Sequence, residues 1–138
     1  MRIAEIMTRD VIAVPVDATL IEAAELMRDH DIGFLPVVAS DVVVGVVTDR
    51  DLVIRGIGEC RNPALTTVRD VMSTKPVWCY ENDVLTDAAD ILANNHLHRL
   101  IVVDNNKKLS GLLSLDDLAA NMSSDRLLGK VLRQITAA

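Results

Sequence analysis

The chain has 138 residues, with 20 acidic side chains against 14 basic ones and a formal charge of −6. That length allows one domain of ordinary size, and an apolar half excludes a disordered chain. The acidic balance excludes a phosphate-backbone binder, which needs clustered Lys and Arg, and no apolar run reaches the roughly 18 residues that span a bilayer.

Taken in order, Ile3 to Met7 reads as a short helical turn and about Val11–Val14 as a short strand. A helix over about Thr19–Asp29 follows, with Leu20, Ala23, Ala24 and Met27 at helical spacing and Thr19 and Glu22 as a capping box. Two apolar strands come next, about Phe34–Val38 and Val42–Val47, joined by the Ala39-Ser40-Asp41 turn. A closing helix starts near Asp49, and Gly56, Gly58 and Pro63 break the chain into a linker. The same series then repeats: a turn from Val68 to Met72, a strand over Val77–Tyr80 and a helix over Val84–Asn95. Strands over Leu100–Val103 and Leu109–Leu113 and a helix from Leu115 complete it.

The chain is therefore a duplication. Ile3 through Val38 align with Val68 through Val103: Met7 meets Met72, Leu20 meets Leu85, and Ala23-Ala24 meets Ala88-Ala89. After one extra residue in the Asn105–Lys108 turn, Gly45 meets Gly111, Thr48 meets Ser114, and Asp51-Leu52 meets Asp117-Leu118. The expected fold class is α+β, two tandem β-α-β-β-α units with a C-terminal helix. The units run 1–57 and 68–122, with a linker 58–67 and a tail 123–138. Units this small have little core of their own, so they are expected to pack on each other about a pseudo-two-fold axis. The tail reads as an amphipathic helix from Ser123 to Arg133, with Leu127, Leu128, Val131, Leu132 and Ile135 able to dock on the body or on a partner.

Most catalytic signatures fail. Gly129-Lys130 lacks the first glycine and the hydroxyl of a phosphate-binding loop, and Gly56-Ile57-Gly58 has Arg61 where a dinucleotide fingerprint needs its third glycine. His96 and His98 alone do not make a metal site, and no nucleophile sits beside a base. No enzyme, metal or required cofactor is expected. Cys79 lies in an apolar run and reads as a buried free thiol. The N-terminus meets Glu5 at once, unlike a secretory signal, so a cytoplasmic protein is expected.

One motif recurs: Gly45-Val46-Val47-Thr48-Asp49-Arg50-Asp51 and Gly111-Leu112-Leu113-Ser114-Leu115-Asp116-Asp117. In each, an apolar strand ends in a hydroxyl residue, with a carboxylate three positions on at a helix start. One reading is a capping box. The other is a nucleoside phosphate site: helix N–H groups and the hydroxyl for phosphate, and the carboxylate for both ribose hydroxyls.

The duplicated unit resembles the CBS domain, and the chain from about Arg2 to Met122 resembles a stand-alone tandem pair, a Bateman module. The resemblance rests on Ile6-Met7-Thr8, Val71-Met72-Ser73, Asp31–Val38, His98–Asp104 and both Gly-x-x-Thr/Ser-x-x-Asp motifs. It implies an adenosine-containing ligand (AMP first, with ADP, ATP, NAD or S-adenosylmethionine as alternatives). It also implies a homodimer that reports energy state to an effector protein and does not catalyse. By resemblance the first site takes Thr48 and Asp51, with Thr8, Val11, Ile12 and Ile32 around the base and Arg50, His98 and Arg99 toward the phosphates. The second takes Ser114 and Asp117, with Ser73, Val77 and Leu97, but Gly33 and Phe34 stand where its basic partners would be. The alternative is a ligand-free dimerisation or adaptor domain.

Overall fold

The computed structural model describes residues 1–137. The duplication appears directly as two three-stranded sheets, ordered β1-β2-β3 and β4-β5-β6. Their strands are β1 (Val14–Pro15), β2 (Phe34–Ala39), β3 (Val42–Thr48), β4 (Trp78–Tyr80), β5 (Arg99–Val103) and β6 (Leu109–Ser114). The helices are α1 (Leu20–His30), α2 (Asp49–Asp51), α3 (Leu85–Asn94), α4 (Leu115–Asn121) and α5 (Asp125–Thr136). In each sheet the first strand runs parallel to the second and the second antiparallel to the third. Even the irregularity repeats: a bulge falls at Val37/Val38 in one sheet and at Val102/Val103 in the other, where one extra residue sharpens the twist.

The chain divides into two compact units, Ile12–Pro76 and a composite of Met1–Val11 with the chain from Val77 onward. The core of the first is built on Val14, Leu20, Ala23, Met27, Leu35, Val37, Val47, Val68 and Val71. That of the second is built on Ile3, Met7, Cys79, Ala88, Ala89, Leu92, Leu100, Val102, Leu113 and Leu118. Each core thus includes an opening turn from the other repeat. Ile3 N–H donates to Asp83 O at 2.9 Å and Ala4 N–H to Glu81 O at 2.9 Å, while Val68 N–H donates to Ala18 O at 2.8 Å and Arg69 N–H to Val16 O at 3.2 Å. The opening turns are exchanged between the repeats with the same bonding pattern.

Several local expectations shift. The first strand is not Val11–Val14 but the two residues of β1, and Pro15, which has no N–H to donate, sits at the sheet edge where none is required. Thr19 caps α1, accepting from Glu22 N–H at 3.2 Å, but Glu22 returns its contact to the Thr19 hydroxyl at 3.2 Å and not to its backbone. The helical path after Asp49 does not stop at Gly56. It continues as a π-helical turn over Leu52–Gly56 and a 3-10 turn over Ile57–Glu59, ending at Cys60 in a left-handed conformation (φ 59°). Gly56 serves close packing there, since a Cβ on it would lie 2.9 Å from Leu20 Cδ1.

The tail helix α5 starts two residues later than expected, with Ser124 accepting from Leu127 N–H at 3.2 Å. It docks on the body of its own unit. Val131 and Ile135 are buried in the core that includes α3, whereas Leu132 stays exposed. Cys79 is a buried free thiol, pushed up to about 12 mainly by burial, and Cys60 is free and exposed.

Candidate functional site

Both recurring motifs lie where a strand passes into a helical turn, and in both the hydroxyl and the carboxylate lock each other. Thr48 N–H donates to Asp51 Oδ2 at 2.9 Å, and Asp51 N–H donates to Thr48 Oγ1 at 3.2 Å. In the other unit Ser114 N–H donates to Asp117 Oδ2 at 3.0 Å, and Asp117 N–H donates to Ser114 Oγ at 3.0 Å. The capping-box reading therefore holds in both places. It does not exhaust the carboxylates, because only Oδ2 enters each box. Asp51 Oδ1 faces the Arg55 guanidinium at 4.0 Å, with the Asp51 side chain 17% exposed. Arg55 is itself tied to Val71 O at 3.1 Å. An ionised carboxylate offers about four acceptor positions, so each box orients a group that still has acceptors toward solvent.

The helical N–H groups are less available than the sequence suggested. α4 has seven residues, and the helical run that begins with α2 turns π-helical at Leu52. In α2 all the first N–H groups are engaged: Asp49 N–H donates to Gly33 O at 3.0 Å, Arg50 N–H to Asp49 Oδ1 at 2.9 Å, and Asp51 N–H to Thr48. In α4 Leu115 N–H likewise donates to His98 O at 2.9 Å, but an apolar side chain stands where Asp49 stands in the other unit. Among the described residues nothing accepts from the Asp116 N–H.

The remaining expected residues fall into two groups. The unit Ile12–Pro76 holds Thr48, Arg50 and Asp51 together with Ile12, Ile32, Gly33, Phe34 and Ser73. Phe34 pairs with Thr48 across the sheet, Ser73 exchanges both backbone bonds with Val46, and Ile12 and Ile32 pack half-buried on the core. The composite unit holds Ser114 and Asp117 together with Thr8, Val11, Val77, Leu97, His98 and Arg99. Thr8 exchanges both backbone bonds with Leu112, and Val77 and Leu97 pack on the core. Arg99 pairs with Ser114 across β5 and β6. His98 and Arg99, which the resemblance assigns to the ligand of Asp51, line an open pocket of about 260 Å3 with Ser114, Leu115 and Asp116. Thr8 and Ser73 are likewise found beside the motif strand of the other repeat.

Sequence reasoning passed over Asp49. It was one letter inside a motif, yet its carboxylate accepts from Arg50 N–H and lies over Gly33, where a Cβ would sit 2.7 Å from Asp49 Oδ2. The available signal was the contrast of Asp49 with Leu115 at equivalent positions.

The family model of the CBS domain matches residues 3–57 and again 68–124. The CBS domain-containing protein YhcV of Bacillus subtilis is 39% identical over 130 residues, which cover 94% of this chain and 91% of that one. A CBS-domain protein of Thermoplasma acidophilum has a similar structure with TM-score 0.79 at 25% identity, covering 97% of this chain and 75% of that one. The complex of CBSX2 with AMP has TM-score 0.75 at 28% identity, covering 86% of this chain and 93% of that one. CBSX2 is a protein of Arabidopsis thaliana.

Proposed function

Because the chain belongs to the CBS-domain family and carries the domain twice, we propose that it is a regulatory module that binds an adenosine-containing nucleotide. AMP is the first choice, with ADP, ATP, NAD and S-adenosylmethionine as competitors. In this reading a motif carboxylate, Asp51 first and Asp117 second, accepts the ribose hydroxyls. Ile12 and Ile32, and Val11, Val77 and Leu97, supply apolar surface for adenine. Thr8, Thr48, Ser73 and Ser114 contribute hydroxyls, and His98, Arg99 and Arg50 contribute charge toward phosphate. The module acts as a cytoplasmic homodimer and passes its state to an effector by binding one arrangement of the chain better than another.

The observation that carries the reading is the pair of carboxylates that each commit only one oxygen, Oδ2, to a capping box. The AMP complex of a relative 28% identical supports it. A second reading rests on the same boxes: if both motifs serve only as caps, the chain is a ligand-free dimerisation or adaptor domain.

Asp51→Asn and Asp117→Asn separate the two readings. Asn still accepts at a cap but loses the charge, and a bond to a charged group contributes about 1.5–3 kcal/mol where a neutral one contributes about 0.5–1.5 kcal/mol. Calorimetric titration should show AMP affinity falling roughly tenfold to a hundredfold in the variant that holds the ribose, with little change in melting temperature. Unchanged AMP affinity in both variants removes the site. An unaltered chain whose melting temperature no adenosine ligand raises leaves the adaptor reading, since a ligand at a hundred times its Kd stabilises by about 2.7 kcal/mol.

A further inference from the structure

The helices of the two units carry different surfaces at equivalent places. In the composite unit, α3 and α4 hold Asp87, Asp90, Asp116 and Asp117 and no basic residue. The basic helix α5, with Arg126, Lys130 and Arg133 against Asp125, packs on this unit. Ala89 and Ala93 of α3 are buried in the core that takes in Val131 and Ile135 of α5. In the unit Ile12–Pro76 the equivalent positions of α1 are Ala24 and Arg28, and both are exposed. Ile21, Val53, Ile54 and Ile57 are exposed too, where the composite unit has Thr86, Ala119, Ala120 and Ser123. The segments that bear them lie side by side, since a Cβ on Gly56 would sit 2.9 Å from Leu20 Cδ1. Pro63 O accepts from Ile21 N–H at 3.3 Å, which brings the linker with Leu65, 79% exposed, to the same end of α1. Five of the nine exposed large hydrophobics among the described residues are thus gathered on one unit, and a gathered apolar patch marks an interface where scattered ones do not.

Charge selects the occupant. α1 and residues 52–61 carry Glu22, Glu25, Asp29 and Glu59 against Arg28, Arg55 and Arg61, close to balance in a chain of −6. A second copy of this acidic chain is repelled by α3 and α4 but meets both signs here. We infer that a second copy seats on the Ile12–Pro76 unit alone, like face to like face about a two-fold axis. The composite unit takes no part, because the chain's own α5 covers the equivalent face of α3 with basic residues that suit its acidic helices. The inference rests on the homodimer in the reading above, not on its ligand, and adds which unit pairs and what shuts the other.

The test is sedimentation equilibrium of the full chain, with thermal melting of every variant alongside. The unaltered chain should be a dimer. Ile54→Asp and Ile57→Asp, made separately at exposed positions, should each raise the dimer Kd at least about a hundredfold, since the two-fold axis sets each new charge near its own copy. The double variant Thr86→Asp, Ala120→Asp places charge at the equivalent positions of the composite unit and should leave the dimer Kd unchanged. Either Ile variant that melts normally and keeps the dimer overturns the inference. So does a double variant that melts normally and falls apart into monomers, which would bring α3 and α4 into the contact. An unaltered chain that stays monomeric overturns the homodimer reading itself, an outcome distinct from the others and separate from any result with AMP.

Discussion

Gly45 and Gly111 open the two motifs, and each is glycine because another backbone passes where its side chain would begin. A Cβ on Gly45 would lie 2.6 Å from Ser73 O and 2.8 Å from Met72 Sδ; one on Gly111 would lie 2.6 Å from Met7 Sδ and 2.8 Å from Thr8 O. The Met side chains can move, but the carbonyls cannot move cheaply. Ser73 O accepts from Val46 N–H at 3.0 Å, and Thr8 O accepts from Leu112 N–H at 2.9 Å. Gly45→Ala and Gly111→Ala should each cost about 1–3 kcal/mol of stability by overpacking, read as a lowered melting temperature. A melt unchanged in both variants would show that the opening turns do not lie against these strands. The sequence displayed both glycines as letters of a motif, but the carbonyls that require them come from residues 28 and 103 positions away (Ser73 and Thr8).

At the scale of elements, the apolar periodicity of α1 and α3 and the apolar runs of β2, β3, β5 and β6 were enough to place them within a residue or so. The short elements were harder. β1 is a two-residue edge strand, and the turn after Asp49 becomes a π-helical segment, neither of which leaves a periodic trace. α5 shows how an amphipathic helix chooses between body and partner. Val131 and Ile135 enter the core of the composite unit, and His96 Nδ1–H donates to Gln134 O at 2.6 Å near the end of the helix. Ile135→Ala should therefore cost about 2–5 kcal/mol, the range for truncating a buried Ile. Hydrogen exchange should quicken in α3 as well as in α5. A loss confined to α5 would mean that this helix adds nothing to the stability of the rest.

For the whole molecule, the unit of packing is not the unit of repetition. Each sheet is completed by an opening turn from the other repeat: Val68–Ser73 closes the sheet that precedes it, and Ile3–Thr8 closes the sheet formed much later in the chain. Ile3 is fully buried in the core with Leu92, Leu100 and Leu113. Ile3→Ala should destabilise by about 2–5 kcal/mol, and its amide shift changes should fall on α3, β5 and β6, leaving α1, β2 and β3 near their original positions. Changes concentrated on α1 would assign the opening turn to its own repeat instead.

By itself the sequence determined the duplication, the α+β class, the order of the elements and the two hydroxyl–carboxylate motifs. Each of these is written in local patterns: helical or strand periodicity, and a capping pair three residues apart. Tertiary structure alone decided which opening turn completes which sheet, and that His98 and Arg99 line a pocket beside Ser114 while Asp49 covers Gly33. These depend on which strands become neighbours and how closely their backbones approach. Side chains that meet across a sheet are distant in sequence, so no local pattern records them.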